Sequence, residues 1–378
     1  MVRKKFGNTG IEMSALGFGA MRLPTIEKGG NKYIDEDKAI PMMLKAFELG
    51  VNYIDTAPYY VEKLSEIAVG KALKSWKGER IYVSTKNPIE NDSGPDFMKR
   101  LELSLKQLDM GYVDFYHMWG IGLKDFKEKI MVKGGPMDMA LKAKEQGLIK
   151  HISFSFHDKP ENMKEIIDSG YFESVLLQYN LLDRSNEKNI EYAHEKGLGV
   201  VVMGPVAGGR LSAPSKVIEE VFGAGRSVGT PEIAMRFVLA NPGVHIALSG
   251  METMEMVIQN AEVSSRDGHL TAEEVKRVEA MLQETKRLAD LYCTGCNYCM
   301  PCEAGLNIPR IFQYMNYHKV YGLTDYAKKQ FANIGNEPFG PKYKPVSACV
   351  ECGVCEEKCP QKLEIIKQLR ETEKELKV

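Results

Sequence analysis

The sequence predicts an α/β protein: a (β/α)8 TIM barrel over residues 1–290, followed by a small, mainly α-helical module over residues 291–378. Three observations carry this. Short β-branched runs alternate with amphipathic stretches eight times through the first part of the chain. No G-x-G-x-x-G follows the first run, which weighs against a doubly wound open sheet, the structural alternative. All eight cysteines lie between Cys293 and Cys359, so the two parts differ in chemistry as well as in pattern.

The barrel strands are expected at 15–21, 51–56, 81–85, 113–118, 152–156, 175–178, 199–203 and 245–249. Helices are expected between them at 38–49, 65–74, 97–108, 136–146, 161–168, 187–196, 231–240 and 254–261, each with apolar residues at three- and four-residue spacing. Ahead of the first strand, K-K-F-G-N-T-G-I-E-M-S reads as a hairpin turning on Gly7-Asn8-Thr9-Gly10, placed to plug the bottom of the barrel. Behind the last strand, residues 271–291 form one more helix, with Thr271 as N-cap and Glu274 as its capping-box partner. Residues 362–378 read as a charged final helix.

Composition narrows the class. Lys+Arg of 50 against Asp+Glu of 51 leaves a formal charge of -1, which gives neither nucleic acid nor an anionic membrane an electrostatic hold. The basic start M-V-R-K-K turns polar and glycine-rich at once, without an apolar h-region, and no apolar run is long enough to span a bilayer. A cytoplasmic protein is expected.

The second cysteine group reads C-V-E-C-G-V-C-E-E-K-C-P, with Cys349, Cys352, Cys355 and Cys359 before Pro360. This is the bacterial ferredoxin run: two-residue gaps let three thiolates wrap one iron–sulfur cubane, and the fourth ligates a second cluster. The first group, Cys293, Cys296, Cys299 and Cys302, shortens its last gap and has Glu303 where proline is usual. By the crossed rule one [4Fe-4S] cluster uses Cys293, Cys296, Cys299 and Cys359, and the other uses Cys349, Cys352, Cys355 and Cys302. Structural zinc is the competing reading, but two CxxCxxC triplets each followed by a fourth cysteine do not match one tetrahedral site. The stretch between the groups carries helical patterns at 309–318 and 324–331, and the module resembles the α-helical ferredoxin module of fumarate reductase iron–sulfur subunits.

The barrel carries N-Y-I-D-T-A-P-Y-Y at 52–60, V-S-T-K at 83–86, Y-V-D-F-Y at 112–116 and L-L-Q-Y-N at 176–180. On these motifs it resembles the aldo/keto reductase superfamily across nearly all of residues 1–261. The resemblance implies that Tyr60 gives a proton to a carbonyl oxygen while a nicotinamide delivers hydride, and that Asp55 and Lys86 support Tyr60 by lowering its pKa. The physics agrees, since a free tyrosine near pKa ~10 is a poor acid and a neighbouring ammonium favours phenolate. The family's carbonyl-orienting histidine falls five residues past Asp114, where this chain has Trp119. His117 shares that face of the strand but sits one step deeper; His157, after the fifth strand, is a further candidate, and a packed core histidine is the alternative for His117.

For the cofactor, the resemblance places Ser155 and Gln178 on the carboxamide, with Phe156 where an asparagine is usual, and Met203 where an aromatic ring stacks on nicotinamide. Gly204, Gly208, Gly209 and Arg210 continue the pyrophosphate side; Gly250, Glu252 and Asn260 follow the eighth strand. The family usually has a basic residue near Glu252 to pair with a 2′-phosphate, and a carboxylate there favours NAD(H) over NADP(H).

These readings lead to a nicotinamide-dependent oxidoreductase acting on a small carbonyl or alcohol, with clusters passing single electrons to a protein partner. Nicotinamide moves two electrons and a cubane one, so a pair-splitting group such as a flavin would be needed between them, and no phosphate signature demands one. Two other readings stay open: clusters that only staple the C-terminal segment, and a redox-sensing barrel that binds nicotinamide without turnover.

Overall fold

The structure is a computed structural model and describes residues 1–212, 214–219, 228–266, 270–290, 293, 297–337, 341–359 and 363–377. Its strands in chain order are β1 (Arg3–Lys5), β2 (Glu12–Ser14), β3 (Leu16–Gly19), β4 (Thr25–Lys28), β5 (Asn31–Ile34), β6 (Tyr53–Asp55), β7 (Tyr82–Pro88), β8 (Val113–Ile121), β9 (Ile149–Phe156), β10 (Ser174–Gln178), β11 (Gly199–Met203) and β12 (Ile246–Gly250). Eight of them close a parallel barrel in the order β10-β11-β12-β3-β6-β7-β8-β9. All eight expected strands are there, with helices between consecutive ones, such as Glu36–Glu48 after β3 and Ser65–Ser75 after β6. The pattern was readable because strands buried on both faces consist of continuous apolar, β-branched runs.

Two features depart from the sequence reading. β4 and β5 form an antiparallel hairpin over a stretch with no assigned structure, turning on Gly29 and Gly30 at φ 59° and 78°. Glycine pairs tolerate the positive φ of such a turn. β8 also runs three residues further than expected, and its pairing with β9 shifts register between Met118 and Ile121, around Gly120 at φ 65°. That irregularity carries Trp119.

β1 and β2 pair antiparallel, as the hairpin reading expects. Phe6, in their turn, is fully buried with Met13, Tyr53, Phe115, Leu176, Val201, Ile246 and Leu248. Its ring meets Phe115 edge-on at 5.2 Å. Gly199 makes room for it: a Cβ there would lie 2.4 Å from the Phe6 ring. The hairpin therefore plugs the end of the barrel where the strands begin, leaving the C-terminal ends of the strands open for chemistry.

The chain divides into two compact units, Met1–Gly208 with Ala234–His269, and Gly209–Ile233 with Leu270–Val378. The helix Ala272–Asp290 and the segment after Gly208 thus group with the C-terminal unit, whereas the motif boundary expected from sequence lies at 290/291. Within that unit Thr271 and Glu274 exchange capping bonds, Thr271 N donating to Oε2 at 2.8 Å and Glu274 N to Oγ1 at 3.2 Å. The helices Ile308–Lys319, Thr324–Ala332 and Ile365–Leu376 fall where helical patterns were read. They enclose a core of Leu306, Ile311, Phe312, Val346, Ile365 and Leu369. No helix among the described residues is long and apolar enough to cross a membrane.

Truncating the plug, Phe6→Ala, should cost about 3–5 kcal/mol. The check is the urea midpoint of the full chain, and a loss below about 1 kcal/mol would contradict the plugging role.

Candidate active site and metal centre

Asp55 ends β6, Lys86 lies on β7, and Tyr60 sits in the loop after β6, so pairing of the two strands assembles the three at the open end. Lys86 is 1% exposed and Asp55 2%. The ammonium donates to Asp55 Oδ1 at 2.5 Å and to the Thr56 carbonyl at 2.7 Å, and lies 4.7 Å from the centre of the Tyr60 ring. Ser84, opposite Asp55 in the register, donates to its other oxygen at 2.8 Å. Burial by itself lowers the Lys86 pKa; Asp55 and Tyr60 outweigh it and hold the pKa above the ordinary lysine value.

At Tyr60 two effects oppose each other. Burial pushes its phenol above the ordinary value, and Lys86, through charge and a hydrogen bond, only opposes that rise. Lysine here limits the cost of forming phenolate, while the resting group stays protonated. Behind this set the sequence reading missed Glu66, a buried carboxyl that accepts from Thr85 Oγ1 at 2.6 Å and whose pKa burial raises. Thr85 and Lys86 alternate faces of β7, a period-two signal that could have pointed to it.

His117 faces Lys86 in the β7–β8 register and is fully buried. Neither ring nitrogen has a hydrogen-bond partner in normal geometry among the described residues. Burial drives its pKa down to about 4, so at neutral pH it is an uncharged imidazole beneath the ion pair. The position nearer the mouth belongs to Trp119, half-buried, whose ring lies 5.6 Å from those of both Tyr60 and Tyr59. His157 follows β9 and is exposed.

The cofactor residues fall into two groups. Ser155 Oγ accepts the Gly120 amide at 2.7 Å, leaving its own proton to donate. Gln178 Nε2 donates to Asp183 at 3.0 Å, leaving its carbonyl oxygen to accept. One donor and one acceptor match what a carboxamide requires, and half-buried Met203 adds an apolar wall. Gly204 and Gly208 turn at φ 64° and 67° after β11, Gly250 ends β12, and Asn260 donates to Ser249 Oγ at 3.1 Å. Gly209 and Arg210 belong to the C-terminal unit, where Arg210 bonds the Tyr317 hydroxyl and lies 5.4 Å from that ring.

Glu252 is not a free carboxylate. Arg22, a residue the sequence reading passed over, donates to Glu252 Oε1 at 3.1 Å and to the Gly208 carbonyl at 3.1 Å. The preference for NAD(H), which rested on an unpaired charge at Glu252, loses its support.

In the C-terminal unit a cavity of about 140 Å³ is lined by Cys302 together with Cys349, Cys352 and Cys355. These are the four thiols the crossed rule assigns to one cluster, and Cys299 also reaches the lining. Leu306, Ile308, Val354 and Leu369 complete an apolar wall of the kind that shields a cluster from water. The donor set and the enclosure fit an iron–sulfur group. Of the other set, Cys359 is buried and Cys293 and Cys299 pack against the same core, while Cys296 lies outside the described residues. Among the described residues no three ligating side chains converge on a single metal-ion position.

Residues 15–283 match the aldo/keto reductase family, and residues 292–364 match a 4Fe-4S dicluster domain. The uncharacterized oxidoreductase YqkF of Bacillus subtilis (strain 168) is 25% identical over 312 residues, covering 74% of this chain and 96% of its own. L-galactose dehydrogenase of Arabidopsis thaliana is 27% identical over 313 residues, covering 75% and 95%. The holo form of an aldo-keto reductase from Bacillus halodurans superposes with a TM-score of 0.64 at 29% identity, over 74% of this chain and 96% of that one. With the barrel closed, the Asp55–Lys86–Tyr60 set assembled at its open end and the family match running through most of the sequence, the chain belongs to the aldo/keto reductase family of oxidoreductases and carries a 4Fe-4S domain in the C-terminal part of its sequence.

Proposed function

We propose that the barrel interconverts a carbonyl and an alcohol with a nicotinamide dinucleotide, and that the C-terminal unit holds two [4Fe-4S] clusters that exchange electrons with a protein partner. The observation that carries the catalytic half is the buried Lys86–Asp55 pair beneath the Tyr60 ring. A bound nicotinamide supplies or accepts the hydride. Tyr60 handles the proton: its hydroxyl gives it to the carbonyl oxygen as the carbon is reduced, and takes it back in the reverse direction. Lys86 stabilises the phenolate left behind, and Asp55 keeps Lys86 charged and aimed. Ser155 and Gln178 would hold the carboxamide, with Met203 beside it. Carbonyl positioning falls to the mouth, where Trp119 stands; neutral His117 supports the floor. The Arabidopsis relative, named a dehydrogenase of L-galactose, is consistent with a carbonyl–alcohol couple of small-molecule size.

A second reading, clusters as structural staples, draws on the packing of Cys293, Cys299, Cys302, Cys349, Cys355 and Cys359 into or against the hydrophobic core. Both readings fit a reducing, cytoplasmic setting for free thiols.

Tyr60→Phe should cut the reduction rate by about 10²–10⁴ while dinucleotide binding is retained. Because the Tyr60 pKa is raised, the protonated acid persists throughout the neutral range. Reduction should therefore lose no rate to Tyr60 until the pH passes ~10, whereas alcohol oxidation should climb with pH. Unchanged turnover in Tyr60→Phe would instead favour a sensor that binds without reacting.

Cys302→Ala should lower the iron of anaerobically purified protein from about eight atoms per chain towards about four, with one cluster's EPR signal lost. Full iron content in that variant would remove Cys302 from the ligand set.

A further inference from the structure

His157 stands one residue past the end of β9, on the open side of the barrel where Asp55, Lys86 and Tyr60 gather. On β9 the side chains of Ser153 and Ser155 are buried, and Ser155 accepts the Gly120 amide at 2.7 Å. Strand alternation carries His157 to the same side as these two serines, one step nearer the mouth. The shift in β8–β9 register completes the arrangement. It sets Gly120 at φ 65° directly after Trp119, and the His157 ring lies over that glycine, where a Cβ would come 3.7 Å from Nδ1. The His157 amide donates to the Ile121 carbonyl at 3.2 Å, which fastens the residue to the end of β8.

Two properties set this imidazole apart. It is exposed, and neither ring nitrogen has a hydrogen-bond partner among the described residues. It is also uncharged at neutral pH: the strand ends packed around it, and then the Lys86 ammonium, hold its pKa below the ordinary histidine value. The same ammonium acts on the Tyr60 phenol, so the two side chains flank one charge.

A neutral imidazole offers one N–H donor and one acceptor nitrogen. A carboxylate only accepts and calls for a cation, and Lys86 is already taken up by Asp55 and the Thr56 carbonyl. An alkyl group would make no use of the ring nitrogens. A hydroxyl both donates and accepts, so it finds a partner at either nitrogen.

We infer that His157 is a specificity-determining residue: it hydrogen-bonds a substrate hydroxyl close to the reacting carbonyl, so that the barrel favours small hydroxy-aldehydes and hydroxy-ketones over their alkyl counterparts. The inference rests on the carbonyl–alcohol reading above and adds to it the class of substrate. Tyr60 and Trp119 remain the groups at the carbonyl itself.

The test is kcat/KM for D-glyceraldehyde and for propanal, measured on the full chain with NADH or NADPH at saturation, in the native protein, His157→Leu and His157→Gln. In His157→Leu the glyceraldehyde-to-propanal ratio should fall about 3- to 10-fold, the worth of one hydrogen bond, with propanal itself changed less than about twofold. His157→Gln keeps a donor and an acceptor and should recover most of the ratio. An unchanged ratio in His157→Leu would overturn the assignment, as would equal loss on both aldehydes, which would make His157 part of the framework. A ratio in His157→Gln no better than in His157→Leu would count against it equally. If the native chain reduces neither aldehyde, the carbonyl reading itself fails and the role of His157 falls with it.

Discussion

An ammonium held dry inside the open end of the barrel is the constraint around which the site is built. Taking such a charge out of water costs several kcal/mol, and that cost is offset only where opposite charge and hydrogen-bond acceptors are already in place. Lys86 finds its partners on the neighbouring strand and the loop that follows it: the carboxylate at the end of β6, the carbonyl of the next residue, and the phenol a few residues on. The register of β6 against β7 is thereby tied to the chemistry. A one-residue slip would turn Lys86 and Ser84 out of the barrel and bring Thr85 in. Thr85 instead points to Glu66 on the helix behind, so both faces of β7 are committed.

The mouth above this pair differs from what a histidine would provide. The shift in β8–β9 register and the positive φ of Gly120 set Trp119 at the end of the strand, against Tyr59 and Tyr60. An indole N–H donates but never accepts and does not titrate in the physiological range. A site oriented by Trp119 therefore has a pH dependence owed to Tyr60 and Lys86, with no imidazole step superimposed. His117, two residues earlier on the strand, is fully buried and neutral.

How much of this was legible in the sequence follows from how local each feature is. The barrel strands and the Thr271–Glu274 capping box depend on short-range pattern and were readable. Cys302 lines one cavity with Cys349, Cys352 and Cys355, the set that ligand spacing leads one to expect, and Cys299 lines it too. The hairpin of β4 and β5 is short and mostly exposed, with no sustained alternation of apolar residues, so its clearest mark was the Gly29–Gly30 turn. The direction of the Tyr60 shift depends on how deeply the phenol is buried, which no motif states. Arg22 and Glu252 are 230 residues apart in the chain, and only closure of the barrel brings β3 beside β12. Glu252 read alone thus showed the carboxylate without its cation.

The central claim is that Lys86 holds down the cost of ionising a buried Tyr60. Carbon-13 NMR of protein labelled at the tyrosine ring carbon bearing the hydroxyl tests it most directly, with the Tyr60 resonance assigned by its absence in Tyr60→Phe. The account predicts that Tyr60 ionises at a pH at least about one unit lower in the native chain than in Lys86→Met, the size of shift a close opposite charge produces. Coincident midpoints in the two proteins would contradict it.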